Sequence, residues 1–275
     1  MTERPLILLS NDDGVGARGI VALRDALVSI ADVVTVAPAT EQSAGSHSLT
    51  LHRPLRHRTF DEATHSVDGT PADCIYVALY RERFLPRWPD LVVSGINHGY
   101  NLGTDVYYSG TVAAAREAAL RGIPSIAFSC AYKGHFDAAA EVAQRVVARA
   151  LVTPGREEGE RGALLNVNFP PDASYRGIRA TRLGRRIYHD EVDVRQDPRG
   201  REYFWIGGPK AHHEPMEGSD TEAVDEGWVS ITPLRLDTTE PSDLGLAAWV
   251  AAVAIEDEDE AAAGAPREEE KVTST

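Results

Sequence analysis

Two adjacent carboxylates, Asp12 and Asp13, follow directly on a short apolar run in "PLILLSNDDGVGARGI" (residues 5–20). Like charges on neighbouring residues repel, and the repulsion grows where water is excluded. One chemistry turns that repulsion to use. Two carboxylates in the exit loop of a strand can direct oxygens at one hard divalent cation, Mg²⁺ or Mn²⁺, whose charge removes the conflict. The plainer alternative is that one aspartate caps the following helix while the other faces solvent.

Two further polar clusters also follow apolar runs. "APATEQSAGSHSLT" (37–50) supplies Ser43, Ser46 and Ser48 around Gly45, which by itself is an ordinary loop. "SGINHGYNLGTDVYYSGTVAAAREAAL" (94–120) places Asn97 beside a strand end, where its amide oxygen suits a metal. Its glycines, at 95, 99, 103 and 110, permit close backbone approach and positive φ. Ser109, Gly110 and Thr111 open a helix, where free N–H groups and the dipole favour an anion; Ser109 acting only as an N-cap is the simpler account. A metal at the first cluster, an amide ligand in the third and an anion site beside it together describe a phosphate-processing site. The nine histidines form neither an HExxH nor a paired metal spacing. His47 and His98 fall in the site loops, His98 as a rim residue, a proton donor or simply an exposed side chain.

The elements that must position these residues read as an α/β core. Continuous apolar runs at 6–9, in "DVVTVAPA", "DLVVSGIN", "PSIAFSC" and "GALLNVNFP" are those of buried parallel strands. They alternate with the helical patterns "ARGIVALRDALVSIA", "TPADCIYVALYRERF", "SGTVAAAREAALRG" and "DAAAEVAQRVVARAL". The spacing of Ile20, Leu23, Leu27 and Ile30 predicts one helix over the first of these. Residues 40–68 read as a long loop with short alternating segments such as "HSLTLH", then one or two edge strands. After Pro171 the alternation stops, and extended segments, a short helix and a strand follow. The expected organisation is a Rossmann-like α/β catalytic core with a mostly parallel sheet over 1–175. A β-rich segment with a returning core strand covers 176–240, a C-terminal helix 241–255 and a disordered acidic tail 256–275.

Formal net charge is −14. The last twenty residues hold eight acids against two bases, so −6 of that charge lies in the tail and −8 in the body. An acidic body argues against a nucleic-acid polymer as partner but admits a small phosphorylated substrate met by a cation or by backbone N–H groups. No apolar run approaches the roughly 20 residues of a membrane span, and the N-terminus lacks the pattern of a signal peptide. A cytoplasmic protein is expected, with Cys74 and Cys130 as two buried reduced thiols.

Five motifs in order, "NDDGVGARGI", "GTPADC", "DLVVSGINHGYNLGTDVYYSGTVAAAREAAL", "DPRGREYFWIGG" and "GSDTEAVDEGWVSITPL", closely resemble the SurE family of stationary-phase survival proteins, metal-dependent nucleotidases. The resemblance spans residues 6 to about 240. It implies a phosphomonoesterase with one divalent ion per subunit, Mg²⁺ or Mn²⁺. Its substrates would be nucleoside 5′- and 3′-monophosphates and, in some members, short polyphosphate. It implies metal ligation by Asp12, Asp13, Ser43 and Asn97, with Ser46 the alternative in the second loop, and dimers or tetramers formed by exchange of C-terminal elements. Asp12, Asp13 and Asn97 are then the catalytic set, Asp13 the candidate base, and Asn101, Ser109, Gly110 and Thr111 the phosphate contacts.

Three other readings compete. A haloacid-dehalogenase-type phosphatase needs an aspartate two residues before the second aspartate, and Asn11 stands there before Asp13. A dinucleotide site could use Gly14, Gly16 and Gly19, but Asp12 and Asp13 would face the pyrophosphate. A nucleotide sensor without turnover would share the pocket; phosphate release separates it from an enzyme.

Overall fold

The apolar run at 6–9 becomes β1 (Leu6–Ser10), buried at all five positions in a computed structural model that describes residues 4–152, 162–188, 192–206 and 212–251. Side chains alternate across a strand. Leu6 and Leu8 therefore enter one apolar layer, and Ile7 and Leu9 the other. A strand covered on both faces needs helices on both sides, and the following elements supply them.

After α1 (Arg18–Leu27) come β2 (Asp32–Pro38), β3 (His57–Asp61), β4 (Thr64–Val67), α2 (Pro71–Tyr80) and β5 (Leu91–His98). A 3₁₀ turn, Gly103–Tyr107, leads to α3 (Gly110–Leu120), then β6 (Ser125–Cys130), α4 (Phe136–Leu151) and β7 (Leu164–Phe169). Helices α1 and α4 pack together on one face with Ile7, Leu9 and Val93. On the other face α2 and α3 cover Leu6, Leu8 and Val92. The result is a three-layer α/β/α core. Its α2 is fixed at its start by a capping box: Thr70 Oγ1 accepts from Asp73 N, and Asp73 accepts from Thr70 N.

The remaining elements are β8 (Ile178–Ala180), β9 (Arg186–Ile187), β10 (Val192–Gln196), β11 (Glu202–Ile206), β12 (His212–His213), α5 (Asp220–Asp225) and β13 (Val229–Leu234). The main sheet runs β3-β4-β2-β1-β5-β6-β7-β13-β8. Its centre is parallel, while β13 returns antiparallel to β7 and β3 is antiparallel to β4. Two small antiparallel pairs, β10 with β11 and β9 with β12, stand outside it. From β1 the chain moves outward through β2 and β4, then crosses back to β5 on the other side of β1. The reversal between β1 and β5 is a topological switch point, and ligands of open α/β sheets bind beyond the carboxyl ends of the strands there.

The expected long connection runs from β2 to β3 with "HSLTLH" inside it, and the strands β3 and β4 follow it. Two expectations are corrected. Helix α1 ends at Leu27, before Ile30. Asn97 lies inside β5, where pairing with β6 shifts register between Ser94 and Asn97. Cys74 and Cys130 are free thiols and buried. Residues up to Leu236 make one compact unit and those from Asp237 a second. In the second, a 3₁₀ turn at Pro241–Asp243 precedes α6 (Leu244–Ala251); the rest of the expected C-terminal helix and the acidic tail lie outside the described residues.

Candidate active site

The switch point is where Asp12 and Asp13 emerge. Asn11 turns the chain after β1: its Nδ2 donates to the Gly14 carbonyl (2.9 Å) and its Oδ1 accepts from Gly14 N–H (3.2 Å). Gly14 takes φ +103°, a conformation that glycine reaches without strain. Neither aspartate caps α1. The N-cap is Ala17, and no side chain bonds to the helix start, so the capping alternative does not hold.

Hydrogen bonds bring both of the other polar clusters to this pair. From the second loop, Gln42 N–H donates to the Asp12 carbonyl (2.8 Å). From the end of β5, His98 N–H donates to Asp13 Oδ2 (3.0 Å). From the start of α3, Thr111 Oγ1 donates to Asp12 Oδ1. Gly110 makes the last approach possible. A Cβ there would stand 2.9 Å from Asp12 Cβ and 3.0 Å from its Oδ2. Gly95 does the same for β5 against β6: a Cβ would meet the Phe128 carbonyl oxygen at 2.3 Å.

Burial pushes the Asp12 carboxyl up to about 6; the Thr111 hydroxyl opposes the shift and the charge of Asp13 adds to it. Asp13 is also raised by burial, against the His98 N–H. Two neighbouring carboxylates that both resist ionisation are a pair short of positive charge. The hydrogen bonds to the pair come from the Thr111 hydroxyl and from backbone N–H groups, that of Thr111 among them. Asn97 donates its Nδ2 to the Gly99 carbonyl (2.9 Å), which leaves its Oδ1 as an unused acceptor. Carboxylate and amide oxygens are hard donors of the kind Mg²⁺ and Mn²⁺ take, so the donor set fits the implied ion. Among the described residues no group of three or more His, Cys, Asp or Glu is placed to hold a metal ion.

Ser43 is exposed, and its Oγ donates to Glu41 (2.7 Å). Ser46, the alternative, donates its Oγ to the Tyr107 carbonyl (2.6 Å) and its N–H to Tyr108 (3.0 Å), so it pins the loop to the 3₁₀ turn. Ser109 is the N-cap of α3, its Oγ accepting from Val112 N–H (3.0 Å). An anion at this helix start would meet Asp12 as a neighbour and needs a cation between them. Asn101 is locked in place: its N–H donates to Asn168 Oδ1 (2.9 Å), its carbonyl accepts from Asn166 Nδ2 (2.7 Å), and its Nδ2 donates to Ser129 Oγ (2.8 Å). His98 is exposed, with its Nε2 on the Tyr132 carbonyl. A Cβ at Gly16 would meet nothing within 4 Å, whereas one at Gly19 would strike the Ile96 carbonyl oxygen at 1.9 Å. The glycine pattern therefore serves helix packing at Gly19 and needs no ligand to explain it.

Three contributors escaped sequence reasoning: the His98 backbone, the Asn166–Asn168 pair on β7, and Asp220. Asp220 Oδ2 accepts from Gly103 N–H (2.9 Å) and its Oδ1 from Gly184 N–H (2.7 Å). The signal for the asparagines was visible, since two amides interrupt the apolar "LLNVNF". A cavity of about 450 Å³ opens at the other end of the sheet, beside Arg4, Asp32 and Arg87. Arg4 pairs with Asp32 and Arg87 with Asp90 there, and no catalytic grouping accompanies them.

Fold and site define a three-layer α/β protein with an oxygen-rich centre at its switch point, facing a helix N-terminus. The model of the family described as "Survival protein SurE" matches residues 7–190, and the chain belongs to that family. It is 57% identical over 251 residues to the 5'-nucleotidase SurE of Sorangium cellulosum, covering 90% of this chain and 96% of that one. It is 48% identical over 235 residues to the 5'-nucleotidase SurE of Vibrio cholerae, covering 85% and 92%. The crystal structure of SurE protein from Aquifex aeolicus is similar with a TM-score of 0.77 at 42% identity, over 90% of this chain and all of that one.

Proposed function

We propose that this chain is a divalent-metal-dependent phosphomonoesterase. It converts nucleoside 5′- and 3′-monophosphates to nucleoside and phosphate, and also cleaves short-chain polyphosphate. The observation that carries the reading is the convergence of Gln42, His98 and Thr111 on two neighbouring aspartates, Asp12 buried and Asp13 half-buried. The names of the relatives, 5'-nucleotidase, support the substrate class.

Asp12, Asp13, Ser43 and Asn97 would hold one Mg²⁺ or Mn²⁺. When bound, the ion supplies a water of lowered pKa and neutralises phosphoryl charge. The chain's own residues do the rest. Ser109, Gly110 and Thr111 present the N–H groups of the α3 start to the phosphoryl oxygens, with Asn101 beside them, and hold phosphorus for in-line attack. Thr111 Oγ1 fixes the rotamer of Asp12. Asp13 would act as the base toward the attacking water, and the His98 N–H fixes one of its carboxylate oxygens. The β-rich segment 176–240 carries the contacts of a dimer or tetramer. Two reduced thiols suit a cytoplasmic setting. No helix among the described residues is long and apolar enough to cross a membrane.

The test is phosphate release from 5′- and 3′-nucleotides and short polyphosphate, with Mn²⁺, with Mg²⁺ and with chelator. Release that chelation abolishes and added metal restores is expected. Turnover indifferent to chelator would overturn the metal scheme, and nucleotide binding without release would make the protein a sensor.

A further inference from the structure

Several buried acids take no part in the proposed mechanism, and one of them bonds to the Ser43 loop. Glu117 is 2% exposed on the otherwise alanine-rich interior of α3. Its Oε2 accepts from His47 Nε2 (2.8 Å) and its Oε1 from Arg121 (2.6 Å). These partners come from different places. Arg121 ends the same helix, whereas His47 belongs to the loop that carries Ser43.

Inside that loop Gly45 N–H donates to the Gln42 carbonyl (3.3 Å) and Ser48 Oγ to the Gly45 carbonyl (2.9 Å), and the rest of its support comes from outside. Ala44 and Ser46 stand at φ +57° and +52°, a region that side chains other than glycine occupy only when their surroundings dictate it. Upstream of Ser43 the loop is tied by Gln42 N–H to the Asp12 carbonyl. Downstream, Ser46 bonds to Tyr107 and Tyr108, and His47 makes the hydrogen bond to Glu117. Ser43 thus hangs between a tether on one metal-site aspartate and a tether on α3, the helix whose first turn faces the phosphate.

We infer that Glu117, acting through His47, is a positioning residue that sets the Ser43 loop against Asp12 and Asp13. It does so from the same helix that offers Ser109, Gly110 and Thr111, so the metal side and the phosphate side of the site share one rigid element. The inference rests on the metal-site reading above. Residues that orient metal ligands typically change metal affinity by about 10–100-fold when removed.

The test compares His47→Ala, His47→Gln and Arg121→Ala with the wild type. Mn²⁺ dissociation constants are measured by the electron paramagnetic resonance of free Mn²⁺, and thermal melting is followed in the same samples. His47→Ala weakens Mn²⁺ binding about tenfold or more. His47→Gln, whose amide can still donate to Glu117, recovers most of that loss. Arg121→Ala removes the other partner of the same carboxylate without touching the loop, so it lowers the melting temperature and leaves the Mn²⁺ constant near that of the wild type. An unchanged constant in His47→Ala overturns the tether alone. Equal weakening in His47→Ala and Arg121→Ala reduces Glu117 to a structural role. A wild-type protein that fails to bind Mn²⁺ overturns the metal-site reading and this inference together.

Discussion

At the scale of single residues, the site is a balance between burial and charge at Asp12. The side chain is nearly enclosed, a hydroxyl bonds one oxygen, and a second carboxylate follows it in the chain. A bound cation therefore contributes stability as well as chemistry, because it binds the native pair and not the unfolded chain. Mn²⁺ should raise the melting temperature of the wild type and leave that of Asp12→Asn almost unchanged. The same variant should lose at least about 100-fold in phosphate release, since metal stabilisation of transition-state charge is worth several kcal/mol and each ~1.4 kcal/mol is a decade. Near-normal turnover of Asp12→Asn with Mn²⁺ would remove Asp12 from the mechanism. Gly110 tests the neighbouring contact. A methyl group there meets Asp12 at 2.9 Å and Pro71 Cγ at 3.1 Å, so α3 or Asp12 must move. Gly110→Ala should cost about 1–3 kcal/mol in urea unfolding, the usual price of overpacking, and reduce kcat more than KM. Unaltered turnover would mean that the helix start and the aspartate are not held together for catalysis.

At the scale of elements, α3 does three things that its sequence announces unequally. Its N-terminal turn was legible, because Ser-Gly-Thr after a glycine-rich loop is a helix start with free N–H groups. The core strands and the mostly parallel sheet were legible for an equally local reason: continuous runs such as "LILL" and "LVVSG" suit strands covered on both faces. The Asp12–Asp13 pair was visible as chemistry, but its partners were not. Gln42, His98 and Thr111 reach it through tertiary contacts that no spacing encodes. The long loop holding "HSLTLH" was legible, but not its anchors, the bonds of Thr50 to Asp73 and of Thr70 to the Ser48 carbonyl. Glu117 was written in the sequence as a charge inside "AAAREAAL", yet which loop would reach it was not. Its carboxyl, despite burial, lies below its ordinary value because His47 and Arg121 hold the charged form. A folded pKa below the unfolded one gives stability that is present above the unfolded value and is lost as pH falls through the folded one. Wild type should therefore be more stable than Glu117→Gln at pH 7, and the gap should close as pH drops below about 4.5. A gap that stays constant down to pH 3 would show that the carboxylate charge contributes nothing.

At the scale of the whole molecule, the question is how the irregular stretch after β7 serves a site built before it. One link is covalently remote but direct. Asp220, at the start of α5 and fully buried, accepts from Gly103 in the 3₁₀ turn that leads to Ser109, and from Gly184 and Thr221. Gly103 and Gly184 also touch closely: a Cβ on Gly103 would stand 2.7 Å from the Gly184 carbonyl oxygen. The motif "GSDTEAVDEGWVSITPL" thus returns β13 to the sheet beside β7 and uses its aspartate to clamp the turn in front of α3. Only a carboxylate meets three backbone donors with acceptors alone. Asp220→Asn keeps the size but turns one oxygen into an NH₂ group, which leaves at least one buried N–H without a partner. The expected cost is about 1–3 kcal/mol, read as a lower urea midpoint with the slope of unfolding unchanged. Because the clamp lies between the C-terminal segment and the phosphate turn, the loss should also appear in catalysis as a raised KM, even at temperatures where the variant is fully folded. A variant that loses stability but keeps the wild-type KM would confine Asp220 to holding the fold, and would place the functional boundary of the site at Asn101 and Ser109.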